Sequence, residues 1–173
     1  IDIEGVLPVS FGIDARDYTP DLTPRDANRL VFVGRLTTEK HIDVVVRAIA
    51  QLDPARDVTF DIVGGGDQRR NLEQLTHQLG LDDRVTFHGR TSDQELRALL
   101  TRASAFVIAS IAELQSIATL EAMASGLPIV AADAVALPHL VQHGENGYLF
   151  EPGNVDELAA RLTDVLTASP EER

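Results

Sequence analysis

Ser110-Ile-Ala-Glu113-Leu-Gln-Ser-Ile-Ala-Thr-Leu-Glu121-Ala-Met-Ala-Ser-Gly126-Leu-Pro128-Ile-Val-Ala131 is the stretch whose reading decides the rest. An apolar run ends at Ile108 and a polar corner follows. From about Ser116 the apolar residues Ile117, Leu120, Met123 and Ala124 take helical spacing. Gly126 and Pro128 stop that helix, and Ile129-Val130-Ala131 opens a new buried strand. The unit is strand, corner, helix, strand. Glu113 sits in the corner and Glu121 inside the helix.

Were the segment between the two carboxylates wholly helical, it would separate them by roughly 12 Å along the axis. Hydrolytic carboxylate pairs stand closer, about 5–5.5 Å for retention and about 6.5–9.5 Å for inversion. Two roles along an extended ligand therefore fit better than an acid/base pair. The amides of the helix start, at Gln115, Ser116 and Ile117, suit an anion such as a diphosphate. On spacing alone, a plain helix with two surface glutamates reads at least as well.

Upstream of this unit, residues 105–108 form its buried strand. Ser92-Asp-Gln-Glu95 is a capping box that opens a helix with Leu96, Leu99 and Leu100 inward. Residues 85–87 make a short strand before His88-Gly89-Arg90. Residues 58–63 make another, ending in Gly64-Gly65-Gly66, and Leu72, Leu75 and Leu79 mark the helix that follows. The triple glycine matches neither the Walker pattern nor Gly-x-Gly-x-x-Gly and reads as a tight turn. Residues 29–33 are a compact apolar strand closed by Gly34. Arg35 and Lys40 then lie in the turn before a helix through Ile42, Val45, Val46, Ile49 and Leu52. Strand, glycine turn and helix start give a phosphate-binding geometry with two cations, although both could equally be solvated surface charges.

Downstream, residues 133–137 read as a loop, 138–141 as a short helix and 147–150 as a last strand. Asn154 with Glu157 resembles a capping box before an amphipathic helix through Leu158, Leu162 and Leu166. Residues 170–173 read as a frayed end. At the other end, residues 7–11 could form a short strand, and 14–25 look like a turn-rich connector entering a domain from elsewhere. The strands are apolar on both faces and alternate with helices. This predicts an α/β fold, a doubly wound parallel sheet. Ligands in such folds lie beyond the carboxyl ends of the strands, and Gly34, Gly64, Gly89 and Glu113 each follow a strand.

Composition narrows the function. The chain has 173 residues, 44% hydrophobic and 24% charged, enough for one domain with a full core. With 5% aromatics, that core is expected to be built from Leu, Val, Ile and Ala. The absence of cysteine removes disulfides, thiolate metal sites and cysteine nucleophiles, and fits a reducing compartment. A net charge of −12 argues against nucleic acid, and against this piece binding an anionic membrane alone. A phosphate ligand would have to be held by a few placed cations and helix starts against the general field. His139 and His143 are four apart but lack a nearby third metal ligand, and read as a solvated pair. His77 and His88 have no partner recognisable in the sequence. Ile1 begins no signal peptide, and the chain reads as a piece of a longer protein.

Several of these residues resemble a known group when taken in order. They are Gly34-Arg35-Leu-x-x-Glu39-Lys40, Phe60-Asp61-Ile62-Val63 into Gly64-Gly65-Gly66, Phe87-x-Gly89-Arg90, Glu113-x7-Glu121-Ala-Met-Ala-Ser-Gly126-x-Pro128, and Glu145-Asn146-Gly147-Tyr148-Leu149-Phe150. The pattern is similar to the C-terminal, donor-binding domain of retaining glycosyltransferases of the GT-B fold, family four (glycosyl transferases group 1). Val9-Ser-Phe-Gly12-Ile-Asp14 resembles that family's interdomain linker. The resemblance implies a linker over 1–26 and a nucleotide-sugar donor domain over 27–173.

It also implies roles. Arg35 and Lys40, after Gly34, would hold the donor diphosphate. Glu113 would contact the transferred sugar as the catalytic carboxylate, and Glu121 would accept the ribose hydroxyls. The amides of Gln115, Ser116 and Ile117 would meet the phosphates, and the loop from Phe87 to Arg90 would flank the base. No metal or other cofactor is then required. The implied partners are a nucleotide sugar, the protein's own N-terminal domain and a saccharide or lipid-linked acceptor, in the cytoplasm, with any membrane contact made by that other domain. Leu114-Gln115-Ser116 stand where the family often has Gly-Phe-Gly, which bears on donor-sugar identity. His41 stands where many relatives have glycine, and little consequence is expected. Two rivals are a sugar-nucleotide epimerase of related architecture and a non-catalytic nucleotide-sugar binding module.

Overall fold

The computed structural model describes residues 13, 14, 18 and 25–168. Six strands pair in one sheet: β1 (Arg29–Val33), β2 (Thr59–Val63), β3 (Val85–Gly89), β4 (Ala105–Ile108), β5 (Ile129–Ala132) and β6 (Gly147–Phe150). Their spatial order is β3-β2-β1-β4-β5-β6, with every pairing parallel. This is the doubly wound sheet that the apolar runs predict, and its order reverses between β1 and β4. β4 and β5 are buried along their whole length, whereas the edge strand β3 is exposed at alternate positions.

The strands alternate with α1 (Ile42–Gln51), α2 (Arg69–Gln78), α3 (Asp93–Arg102), α4 (Ile117–Ala124), the one-turn α5 (Leu137–Leu140) and α6 (Val155–Thr167). α1 packs against both α2 and α6 on one face of the sheet, and the right-handed crossovers that parallel strands almost always take assign α3, α4 and α5 to the other. Of the two anticipated capping boxes one is complete and the other is half-formed, because the Glu157 carboxylate accepts the Glu151 amide and not that of Asn154. Ser92 and Glu95 form a reciprocal capping box, and the Asn154 side chain accepts the Glu157 amide. The core is chiefly aliphatic, but four phenylalanines are also fully buried, one each on β1, β2, β4 and β6: Phe32, Phe60, Phe106 and Phe150. Among the described residues no helix is long and apolar enough to cross a membrane.

Two readings need correction. Ser116 caps α4, in agreement with helical spacing from about that residue, but the inward face of α4 is not its apolar one. Thr119 and Ala122 are buried, while Ile117 is 37% exposed. The small residues let α4 approach β4 and β5 closely, and the Thr119 hydroxyl is satisfied by Ser116 Oγ at 2.7 Å. The short helix before β6 also begins one residue earlier than read, at Leu137, which is fully buried.

Asp61, in the middle of β2, is a buried charge that periodicity does not predict. It accepts a hydrogen bond from Arg29 Nε at 2.6 Å and lies 2.6 Å from His88 Nε2. Arg29 also reaches Asp26, which pairs with Arg102. A carboxylate out of water is tolerable only with such partners.

The residues 14–25 read as a connector are described only at Asp14, Tyr18 and Arg25. The Arg25 guanidinium donates to the carbonyls of Ala103 and Ser125, and Tyr18 packs against the core. The strand expected over 7–11 and the frayed end at 170–173 lie outside the described residues.

Candidate functional site

Because all six strands run the same way, their carboxyl ends share one rim, and the turns there are tied to one another. Gly34 N–H donates to the Val63 carbonyl at 3.0 Å, Gly64 N–H to Gly89 at 2.7 Å, and Leu36 N–H to Gly65 at 3.0 Å. The glycine run is needed because another backbone passes against it. A Cβ on Gly64 would lie 1.9 Å from the Gly34 carbonyl oxygen, and one on Gly66 would lie 2.2 Å from that of Leu36. The segment in close approach is the loop carrying Arg35.

That loop continues into a single 3-10 turn, Thr38–Lys40, and then α1. Arg35 is exposed. Glu39 accepts a hydrogen bond from the Thr37 hydroxyl at 2.8 Å. Its own backbone amide first, and that hydroxyl second, hold its carboxyl below the usual carboxylate range. His41 closes the turn in the left-handed conformation at φ 46°, which costs a non-glycine residue on the order of 1–2 kcal/mol. The glycine-to-histidine departure therefore has a local cost that the residue type alone does not show.

Lys40 turns inward and forms an ion pair with Glu113, 73 positions along the chain. The two side chains are only 15% and 11% exposed. The Glu113 corner is held from two sides. Ile111 N–H donates to the Glu39 carbonyl at 3.1 Å, and Ala136 N–H donates to the Glu113 carbonyl at 3.1 Å. Such backbone ties fix a side chain's origin before any ligand arrives. The corner is not part of a helix, so the 12 Å helical spacing does not describe the distance from Glu113 to Glu121. Around it Leu114 is 89% exposed, with Ile111 and Val135 also outward. Val135 holds φ at 51°, a strained value for a β-branched residue.

At the start of α4, Ser116 is buried and its Oγ accepts the Thr119 amide at 3.4 Å, which leaves its side chain structural. Gln115 is half-buried just before this cap, and Ile117 is the first helical residue. The first amides of an α-helix have no partner within it, so this end of α4 presents donors and the positive end of a dipole. One turn further along, Glu121 Oε1 accepts a hydrogen bond from the Tyr18 hydroxyl at 2.7 Å. Arg90, beyond the end of β3, is exposed. Arg69, the first residue of α2, donates to the Phe87 carbonyl of β3 at 3.3 Å and lies over the Phe87 ring.

The rim thus gathers Gly34, Arg35, Lys40, Glu113 and the α4 start, while Glu121 lies below it and Arg90 on the β3 side. Sequence reading missed Tyr18, which falls in the stretch taken as linker, and the partners of the histidines. His77 faces Asp82, His88 faces Asp61, and His143 Nδ1 accepts the Leu149 amide, so His143 is not half of a merely solvated pair. A separate cavity of about 280 Å³ between Met123, Pro128, Gly147 and Ala168 lies by the amino ends of β5 and β6, away from this rim.

Burial first, then the hydrogen bond to Glu121 and its negative charge, push the Tyr18 phenol up to about 12, against the opposing Arg97 guanidinium. A raised value means that the neutral phenol, through its burial first and this hydrogen bond second, contributes stability that is complete below the ordinary 10.0 and is lost as pH climbs towards about 12. Ultraviolet titration of phenolate absorbance is expected to show a step near 12 that Tyr18→Phe removes. Persistence of that step in the variant would contradict its assignment to Tyr18.

Comparison with known proteins gives a consistent result. The chain matches the protein family described as Glycosyl transferases group 1 over residues 17–173. It is 36% identical over 167 residues to the MMP alpha-(1->4)-mannosyltransferase of Mycolicibacterium hassiacum, covering 95% of this chain and 40% of that protein. It is 36% identical over 136 residues to the 2-deoxystreptamine glucosyltransferase of Streptomyces kanamyceticus, covering 78% and 35%. Among solved structures, sucrose-phosphate synthase from Thermosynechococcus elongatus matches with a TM-score of 0.83 at 29% identity, over 93% of this chain and 43% of that one. Anabaena HepE in complex with UDP and glucose matches with a TM-score of 0.80 at 29% identity, over 90% and 46%. The chain spans less than half the length of each of these four proteins.

Proposed function

The chain belongs to the glycosyl transferases group 1 family, and from that premise we propose that it is the donor-binding domain of a retaining glycosyltransferase. It takes a nucleoside-diphosphate hexose, and a separate N-terminal domain holds the acceptor. The observation that carries this reading is the inward ion pair between Lys40 and Glu113 at the carboxyl rim, beside the α4 start. A cation, a carboxylate and a helix dipole meet there on backbone fixed by its neighbours. The match to HepE, a structure holding UDP and glucose, supports the same ligand class.

In this reading the diphosphate lies between Arg35 and the amides of Gln115, Ser116 and Ile117, and draws the Lys40 ammonium from Glu113. The freed Glu113 carboxylate accepts hydroxyls of the sugar, Glu121 accepts those of the ribose, and the loop from Phe87 to Arg90 flanks the base. Transfer breaks the bond from the anomeric carbon to the diphosphate oxygen. A bond to an acceptor oxygen forms on the same face, and the acceptor hydroxyl passes its proton to the departing diphosphate oxygen. Placed cations and amides carry the charge of the leaving diphosphate, so the step needs no metal.

A thermal-shift panel of UDP, GDP, ADP and pyrophosphate tests this. At about 100-fold excess over Kd, a ligand of the native state adds roughly 2.7 kcal/mol, a rise of several degrees for a chain of this size. At least one nucleoside diphosphate is expected to produce that rise. Glu121→Ala is expected to weaken the nucleotide and leave pyrophosphate unchanged, and Arg35→Ala to weaken both by on the order of 1–3 kcal/mol. No shift with any of the four ligands would refute the proposal.

A further inference from the structure

We propose that Tyr18 is a positioning residue for the ribose acceptor: its hydroxyl holds one oxygen of Glu121 and so aims the other at the nucleoside. The inference rests on the donor-domain reading above. It concerns a residue which that reading leaves in the stretch leading into the domain.

Tyr18 and Glu121 are 103 positions apart, and their hydrogen bond is partly buried at 2.7 Å. The ring packs against the core, and the Arg97 guanidinium of α3 lies 5.6 Å from its centroid. Tyr18 thus lies between Arg97 of α3 and Glu121 of α4, with its hydroxyl directed at the carboxylate. An ionised carboxylate has about four lone-pair sites, and the tyrosine occupies one of them on Oε1. A glutamate on a short helix otherwise has several rotamers, and a hydrogen bond from a packed aromatic selects one before a ligand binds. The raised phenol keeps the donor protonated at every pH at which the domain would work.

Plugging of the ribose site by Tyr18 is the opposite case and predicts the opposite sign. The phenylalanine variant keeps the ring and its packing and deletes only the donor. Binding of UDP and of pyrophosphate is measured by calorimetry in the 173-residue chain, in Tyr18→Phe, in Glu121→Ala and in the double variant, with GDP or ADP replacing UDP if the panel favours one. The expected result is that Tyr18→Phe weakens the nucleotide about five- to tenfold, leaves pyrophosphate unchanged, and has no further effect once Glu121 is alanine. A merely structural role would weaken both ligands and persist in the Glu121→Ala background. An unchanged or tightened nucleotide affinity in Tyr18→Phe, or an equal loss for pyrophosphate, overturns the assignment of Tyr18. Sensitivity to Glu121→Ala alone then leaves the donor reading standing. If no nucleoside diphosphate binds the unaltered chain, both fall.

Discussion

Lys40→Met is expected to lower the melting temperature of the chain and to abolish the nucleoside-diphosphate binding proposed for it, and adding Glu113→Gln is expected to restore most of the stability without restoring the binding. The first effect follows from burial. The paired side chains are only 15% and 11% exposed, so removing the ammonium strands a carboxylate with little water around it. Breaking one side of such a pair costs about 2–4 kcal/mol, equivalent to roughly 5–15 °C in a domain of this size. Replacing both members removes the stranded charge, and neutral groups of similar shape then pack at nearly the original stability. Binding is not expected to return, because in the proposed reading the ammonium itself holds the diphosphate. Recovery of affinity in the double variant would show that Lys40 serves only to neutralise Glu113.

Gly64→Ala and Gly66→Ala are each expected to destabilise the fold by about 3 kcal/mol or more and to take diphosphate binding with them, whereas Gly65→Ala changes stability by less than about 0.5 kcal/mol. The added methyl groups would lie 1.9 and 2.2 Å from main-chain carbonyl oxygens of Gly34 and Leu36. Gly64 also holds φ at 129°, which L side chains rarely adopt. A clash of backbone with backbone is relieved only by moving the loop, and that loop carries Arg35 and leads to Lys40. A methyl group on Gly65 would have no neighbouring atom within 4 Å, which makes that position the control. Chemical denaturation measures the stabilities, and tolerance of alanine at Gly64 would contradict the tight association of the two turns.

The strands and capped helices were legible in the sequence for a physical reason. A parallel strand covered on both faces must be apolar at every position, as in residues 105–108, and a capping box is a local pair of hydrogen bonds readable from Ser92 and Glu95. The inward face of α4 was not legible, because Ser116 and Thr119 satisfy each other and can therefore be buried. Contacts between distant loops leave no periodic trace. Arg35, Lys40, Glu113 and Glu121 could be named as candidates, yet nothing in the spacing says that Lys40 meets Glu113 or that Tyr18 meets Glu121. His41 and Val135 hold positive φ, where the rule that assigns such positions to glycine points elsewhere.

A crystal structure of the chain with its preferred nucleoside diphosphate tests the central claim most directly. The account predicts the diphosphate against Arg35, Lys40 and the first amides of α4, with the Lys40–Glu113 pair opened and the ribose on Glu121. Nucleotide bound away from that rim, such as in the cavity by Met123 and Tyr148, with the ion pair intact, would contradict it.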